Sequence, residues 1–589
     1  MAASIFYAIS IIAFFFIFLL VRKDDTSSHS AAAWMVVHAA VIMWINNFFY
    51  AVYSLIGIPT TLVSVAVGYL VLSVVGLFCI RRKGVQKLSW RFDDFAFILI
   101  IVAVAYGVGL QYHTPHLQIC DCSGDICTHY MYAMRLSNTG WIRNEMFYAP
   151  VNNGLFISLV KPVLNPSNYY KGFIAMGIMM LALSGCAFYA ALCDITKRFV
   201  SRLAGLIVSL MYMLGYPLHN ELMGFCYLGM SVTIVVLLAY FLRLYIDGTM
   251  QNDWAIVMMM LGCFALVMCY MLFAPVVYIA LFVTLAIARF KEIGYAGFAK
   301  LALKVFLIPC VLGLYYCYFC FFKSRSLSVG NAVVNEGGTR GRFYVYLLIL
   351  FPGTVYFLIS DFRRRKHLGQ TVLFCASLLF SIGVLTLVFR HKMSIYYYSK
   401  TVYLLWYAMS MTSYLGLKYM LEDDKKAFVS CTSLGLCLFL IWAFNVNDKL
   451  AKRAEAGYAH YAENFRTVSF GIYDENLYLL SVIRPYSPAK LDLYNYVREN
   501  LNDETIPLLA DYINYLDFYW YQNMTGQDTD DYFFLTHDIN NLIQRIGVRK
   551  ETKYVMLLYD TSVYKENTLL WRRYKKVYDN DVGCILKLK

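Results

Sequence analysis

Three polar segments in this chain carry residue types that can do chemistry. The first runs through His113, His116, Cys120, Asp121, Cys122, Asp125, Cys127 and His129. From Asp125 onward the apolar residues Ile126, Tyr130, Met131, Met134 and Leu136 fit an interfacial helix. Asp125 and His129 then stand four residues apart on one helix face. Asp125 falls near the helix N-terminus, where the dipole favours a carboxylate. A carboxylate held at an interface is a general base for a hydroxyl. The plainer reading of Asp125 is a helix cap leading into a solvated loop.

The second segment is Arg390-His391-Lys392 through Tyr396-Tyr397-Tyr398-Ser399-Lys400. Cations interleaved with Tyr suit an anion site for a lipid phosphate. They also suit an aromatic belt with snorkelling Lys and Arg. The third segment holds Lys323, Arg325, Arg340 and Arg342 around the flexible pair Gly337-Gly338, and its cations could close over an anionic ligand. Cys120, Cys122 and Cys127 among three His have the composition of a metal site, but their spacing matches no usual zinc pattern. A disulfide of Cys120 or Cys122 with Cys127 and free thiols are the other readings.

Long apolar elements must position these segments. The chain is 60% apolar and only 15% charged over 589 residues, with 50 Tyr and 42 Phe. Soluble domains run at about 45–50% apolar and about 25% charged. A single water-soluble globule and a disordered chain are therefore excluded. A transmembrane helix needs about 20 apolar residues. About fourteen spans are expected, near 4–21, 31–54, 58–80, 94–112, 172–193, 203–218, 224–245, 254–271, 273–289, 301–321, 343–360, 371–389, 401–420 and 427–445. The run 254–289 is broken around Pro275, where a kink or turn is permitted. The first span has no preceding Lys or Arg and no small-residue cleavage site, which argues against a cleaved signal peptide.

Basic loops set the orientation. Arg22/Lys23, Arg81/Arg82/Lys83/Lys87/Arg91, Lys197/Arg198/Arg202, Arg289/Lys291, Arg363 to Lys366 and Lys418/Lys425/Lys426 recur in alternate loops. They are expected on the cytoplasmic side. Both termini and the loops 113–171, 322–342 and 390–400 are then outside. Much of the +14 net charge is thus an orientation signal. Its split among short loops argues against nucleic-acid binding.

After residue 446 the long apolar runs stop. Two domains are expected: 1–446 in the membrane and 447–589 as an outer α/β cap. In the tail, Asn447–Phe465 reads as an amphipathic helix. Leu491–Leu501, Asp538–Ile546 and Lys565–Tyr574 read as helical, and Ile506–Ala510 and Tyr554–Leu558 as extended. Val577–Lys589 reads as a hairpin through Asp579-Asn580-Asp581. No repeat of fixed period or inverted pair of halves is visible.

Taken in order, these features resemble the GT-C glycosyltransferases, polytopic enzymes that use polyprenyl-phosphate-linked sugars. The resemblance rests on Gly124-Asp125 with His129-Tyr130, then Asn144-Glu145 with Tyr148-Ala149-Pro150 to Gly154. It continues in Tyr216-Pro217 with His219-Asn220-Glu221 to Phe225, in Tyr397-Tyr398-Ser399-Lys400, and in the α/β tail. It is spread over roughly residues 94–589 and lies in order and topology more than in any one motif. It departs from the usual pattern in two ways. Three spans precede the one leading into the acidic loop, and Asp125 lacks an adjacent second carboxylate. Asp121 could supply that carboxylate, so the base is Asp125 or Asp121, with Asp125 favoured by His129.

The resemblance implies an inverting transfer from a polyprenyl-phosphate sugar to an acceptor hydroxyl on a glycan or lipid-linked acceptor, as in the building of cell-envelope glycans. It places the donor phosphate at Lys400, Arg390 and Lys392, with Arg340 and Arg342. It assigns Glu145, Tyr148, His219, Glu221, Tyr397 and Tyr398 to the acceptor and sugar cavity. No cofactor is certain, and a divalent cation is compatible with the resemblance. Membrane lipids are the remaining expected partners. The competing functions are a lipid-linked-saccharide flippase or transporter, which would want ionisable groups near mid-span, and a polysaccharide polymerase or ligase.

Overall fold

The computed structural model describes residues 1–23, 29–120, 124–142, 150–193, 198–318, 347, 350–437, 440, 472–482, 485–509, 515–527 and 552–588. Helices dominate it. Long helices α1 (Ala2–Leu20), α2 (Ala31–Ile56), α3 (Leu62–Lys83) and α4 (Phe92–His113) come first. Two shorter helices follow, α5 (Gly124–Thr139) and α6 (Val151–Val160), and then α7 (Tyr169–Cys193) and α8 (Phe199–Leu214). The short α9 (Tyr216–Leu222) leads into α10 (Cys226–Ile246), α11 (Asn252–Tyr270) and α12 (Ala274–Tyr318). Next are α13 (Phe351–Arg364), α14 (Leu368–Phe389) and α15 (Ile395–Asp423). Gly294, at φ 65° and ψ −178°, divides α12 into two antiparallel-capable halves.

Among the described residues each expected span falls on helix: 301–321 is described to 318, 343–360 is helical from Phe351, and 427–445 is helical to residue 437, beyond which only residue 440 is described. Among the described residues nine segments are long and apolar enough to cross a membrane, one of them the merged Asn252–Tyr315. The segments centred on α7 and α10 are 83% buried in their most apolar stretch, against 28% for α3, α4 and α14. The first two are therefore the centre of the bundle. The others turn apolar faces outward, as lipid-facing helices do. Helix α15 is almost wholly buried from Tyr398 to Gly416 yet is too polar to join the nine. Its Ser, Thr, Tyr and Lys side chains face protein rather than lipid. Its first turn is fixed by Ser394, whose Oγ accepts the Tyr396 N–H.

The tail contributes α16 (Ile472–Val482), α17 (Pro488–Asn500), β1 (Leu508–Leu509), α18 (Tyr515–Thr525), β2 (Tyr554–Leu558), α19 (Ser562–Lys565), α20 (Thr568–Trp571), β3 (Lys575–Asp579) and β4 (Gly583–Lys587). The strands form one sheet in the order β1-β2-β4-β3. β1 runs parallel to β2, and β4 is antiparallel to both β2 and β3. The expected hairpin at 577–589 is β3-β4. Of the helix expected at 565–574 only the single turn α20 forms, α19 ending at Lys565 where it was expected to begin. Asn447–Phe465 and Asp538–Ile546 lie outside the described residues. The tail does not float free. One buried apolar cluster joins Ile126, Cys127 and Tyr130 of α5 to Leu493, Tyr494, Trp520, Tyr521 and Met556 of the tail.

Candidate functional site

Helix α5 opens with Asp125 and descends to His129 one turn later. Ile126 fixes where that first turn sits. It packs against Gly224, which adopts φ +75°. A side chain at Gly224 would come within 2.8 Å of Ile126 Cα, so only glycine allows the two backbones to approach this closely. The next residue along, Phe225, points its ring at Lys400. The opening turn of α5, the end of α9 and the first turn of α15 therefore meet at one place.

Lys400 is the centre of that place, at 1% exposure. Its Nζ lies 3.0 Å from the ring centroid of Phe225, 4.5 Å from Tyr396, 5.7 Å from Tyr403 and 5.9 Å from Tyr227. Tyr396 and Tyr403 stand four residues before and three after Lys400 on the same helix face, so the local sequence builds half the cage. The faces of aromatic rings attract a cation without carrying an opposite charge. His129 packs its ring 5.0 Å from Tyr227 and is buried. Burial and then the nearby Lys400 charge hold its imidazole down to about 3, so it is neutral at physiological pH.

His219 enters from α9. That helix is started by Pro217 in its first turn, after the chain bends at Gly215. The His219 ring lies 6.4 Å from that of Tyr403, and Tyr216 packs tilted against Tyr403 at 4.6 Å. Helix α16 closes over it. Glu475 Oε1 sits 3.5 Å from His219 Nε2, and Asn476 Oδ1 lies 3.3 Å from His219 Nδ1. Asn476 Nδ2 also donates to the carbonyls of Leu214 and Gly215, each at 2.8 Å, which stitches the α8–α9 bend. Tyr473 donates to the Met211 carbonyl at 2.8 Å. Glu475 and Asn476 did not stand out in the sequence, because nothing in a local pattern shows that a helix of the tail returns onto α9.

The other expected site residues divide as follows. Glu221 lies against Gly177 of α7. Tyr397 packs edge-on to Tyr396 at 5.5 Å, and Tyr398 is buried. Arg390 and Lys392 are exposed in the turn between α14 and α15, and no described contact joins them to Lys400. Asp121, Glu145, Tyr148, Arg340 and Arg342 lie outside the described residues, as does the side chain of Asp125. Cys120 and Cys127 are not joined to each other, and Cys122 lies outside the described residues. Cys120 donates to the Tyr112 carbonyl, and Cys127 accepts from Asn523 Nδ2 at 2.7 Å. Among the described residues no group of three His, Cys, Asp or Glu could hold a metal.

A second polar feature adjoins this site. Asn152 and Asn153, in the first turn of α6, line a cavity with Asn47 of α2, Cys226, Tyr227 and Cys269. Asn46 Nδ2 donates to Asn152 Oδ1 at 2.9 Å, and Tyr69 Oη donates to Asn46 Oδ1 at 2.7 Å. The sequence segment ending at Gly154 pointed to this neighbourhood, but not to its amides.

No protein-family model matches the chain, and no curated protein does. Among solved structures the chain is similar to ArnT from Cupriavidus metallidurans in the apo state, at 13% identity, with 84% of this chain and 98% of that one covered and a TM-score of 0.45. It is also similar to the same protein bound to undecaprenyl phosphate, at 12% identity, with 83% and 98% covered and a TM-score of 0.47.

Proposed function

We propose that this chain is an inverting glycosyltransferase of the GT-C kind, using a polyprenyl-phosphate-linked sugar at the outer membrane face. The observation that carries the reading is the buried Lys400. It is held by four rings at the point where the turns bearing Asp125 and His219 converge. An ammonium among ring faces at that point is placed to meet an anion, and a departing phosphate is the anion that this chemistry needs.

In the reaction, the acceptor hydroxyl attacks the anomeric carbon as Asp125 takes its proton. The bond from that carbon to the phosphate oxygen breaks, and the polyprenyl phosphate leaves with the electron pair. Lys400 stabilises the charge that grows on the phosphate. His129, neutral, can accept or donate a hydrogen bond beside it without adding a second positive charge. His219, flanked by Glu475 and Asn476, borders the acceptor side, with Tyr216 and Tyr403 as stacking faces for a sugar ring. Glu221, Tyr397 and Tyr398 belong to the wider wall of that cavity.

The test uses purified chain in lipid nanodiscs with a panel of polyprenyl-phosphate sugars. Asp125→Asn is expected to abolish transfer while leaving the protein monodisperse and helical. Should Asp125→Asn and Asp121→Asn both retain transfer, the mechanism is wrong.

A further inference from the structure

Asn153 is 1% exposed, and neither its Nδ2 nor its Oδ1 has a hydrogen-bond partner among the described residues. Native chains rarely bury an amide in this condition, because both groups lose water and gain nothing. Its neighbours behave differently. Asn152 is satisfied by Asn46 and the Met43 carbonyl, and Asn47 donates to Cys269 Sγ at 3.5 Å. Asn153 alone of these three amides presents both a donor and an acceptor to the cavity that it lines.

The cavity selects its occupant by size and charge. It has room for about one water-sized group, so it takes a substituent and not a whole ring. Among the described residues no Asp, Glu, Lys, Arg or His lines it, so the lining side chains offer hydrogen bonds and not charge. A hydroxyl has one donor and two acceptor lone pairs, which matches an amide presenting both. Tyr227 forms one wall, and the same ring lies 5.9 Å from Lys400 Nζ and 5.0 Å from the His129 ring. The cavity therefore sits across a single side chain from the group assigned to the donor phosphate.

We propose that Asn153 and this cavity form a hydroxyl-recognition subsite that receives one hydroxyl of the transferred sugar. The inference rests on the glycosyltransferase reading and adds a specificity determinant to it. A site built to hydrogen-bond a hydroxyl rejects the analogue that lacks it, since the buried amide is then left unpaired.

The test uses the full chain in nanodiscs with two probes: a sugar-free polyprenyl phosphate, and the polyprenyl-phosphate sugar that the chain transfers, together with its monodeoxy analogues. Asn153→Ala is expected to bind the sugar-free lipid as the natural chain does. It should lose about 10- to 100-fold in kcat/KM for the parent sugar. For one deoxy analogue the natural chain and Asn153→Ala should become equal, which identifies the hydroxyl. Asn153→Ser, which keeps a small polar group, is expected to recover part of the loss and guards against a folding defect in the alanine variant. If Asn153→Ala lowers kcat/KM by the same factor for the parent and for every deoxy analogue, the cavity holds a structural water only and the inference is overturned. If the natural chain neither binds the sugar-free lipid nor transfers any sugar of the panel, the broader reading fails and takes the inference with it.

Discussion

Two buried cations lie at opposite ends of the bundle, and they are solvated in opposite ways. Arg202, at the end with the basic loops, is met by carboxylates. It pairs with Asp93 Oδ2, lies 3.5 Å from Asp94 Oδ1, and Asp94 in turn accepts from Tyr189 Oη at 2.7 Å. Lys400, at the end bearing α5, is met by the rings of Phe225, Tyr396, Tyr403 and Tyr227. Carboxylates meet a cation with opposite charge, while ring faces attract it through their quadrupole. The first arrangement ties α4 to α8 and has no charge to spare. The second sets a buried ammonium among ring faces, beside the opening turn of α5.

The comparison breaks most sharply if the two cations are removed in turn. Arg202→Met leaves Asp93 and the fully buried Asp94 without their cation. That should cost about 3–5 kcal/mol of stability, read as an early thermal transition, with transfer per folded molecule kept. Adding Asp93→Asn and Asp94→Asn should restore much of the loss. Lys400→Met puts an unbranched apolar side chain into an aromatic cage and should leave the transition within a few degrees. Transfer should fall by about 10²–10³-fold. A Lys400→Met protein that transfers normally, or an Arg202→Met protein as stable as the natural one, would show that the two sites differ in appearance only.

Histidines at the two ends sharpen the contrast by pH. Burial, then the Lys400 charge, pushes His129 down to about 3, and burial, then Arg243, pushes His367 in the turn before α14 down to about 4. In each case the unfolded chain, with an ordinary value near 6.5, binds the proton first as pH falls. Stability from keeping these rings neutral is complete above about 6.5 and is lost as pH drops toward the folded values. At pH 5 only part of that difference is drawn, so the transition should fall by a few degrees relative to pH 7. His129→Gln and His367→Gln should each flatten the dependence. Adding a sugar-free polyprenyl phosphate should change the slope in His367→Gln, which retains His129 beside Lys400, and should leave that of His129→Gln unmoved.

Much of this organisation was legible before any coordinates. The helix positions followed from apolar run length, because a bilayer imposes one length on every crossing. The β3-β4 hairpin followed from alternation around Asp579-Asn580-Asp581. His129 was visible at helical spacing from Asp125, and Lys400 as one of the cations interleaved with Tyr. The rest depends on contacts between distant segments. Glu475 lies more than 250 residues from His219 in sequence, and no local pattern reports that pairing. Asn46, Asn47 and Asn153 read as ordinary polar residues near a span end until α2 and α6 are set side by side. The exposure of Arg390 and Lys392 has a simple cause. They sit in a turn at a helix end, where long charged side chains extend to water at no cost.

The smallest effect bears on how the tail reaches the site. Asn476 bridges the carbonyls of Leu214 and Gly215 where α8 ends and α9 begins, the second of which also accepts the His219 N–H, while Tyr473 makes one bond to the Met211 carbonyl. If α16 acts as a clamp on that bend, Asn476→Leu should strand the Leu214 carbonyl and weaken the hold on Gly215 at about 1–3 kcal/mol, and Tyr473→Phe should cost about 0.5–1.5 kcal/mol. The loss should be local. Amide hydrogen exchange should rise first across residues 211–222, with the Arg202 end unchanged, because opening free energies differ between regions of one molecule. A uniform rise in exchange over the whole bundle would mean that α16 stabilises the fold generally. A rise confined to the bend would mean that the tail holds His219 beside Lys400, which is the role the cage requires of it.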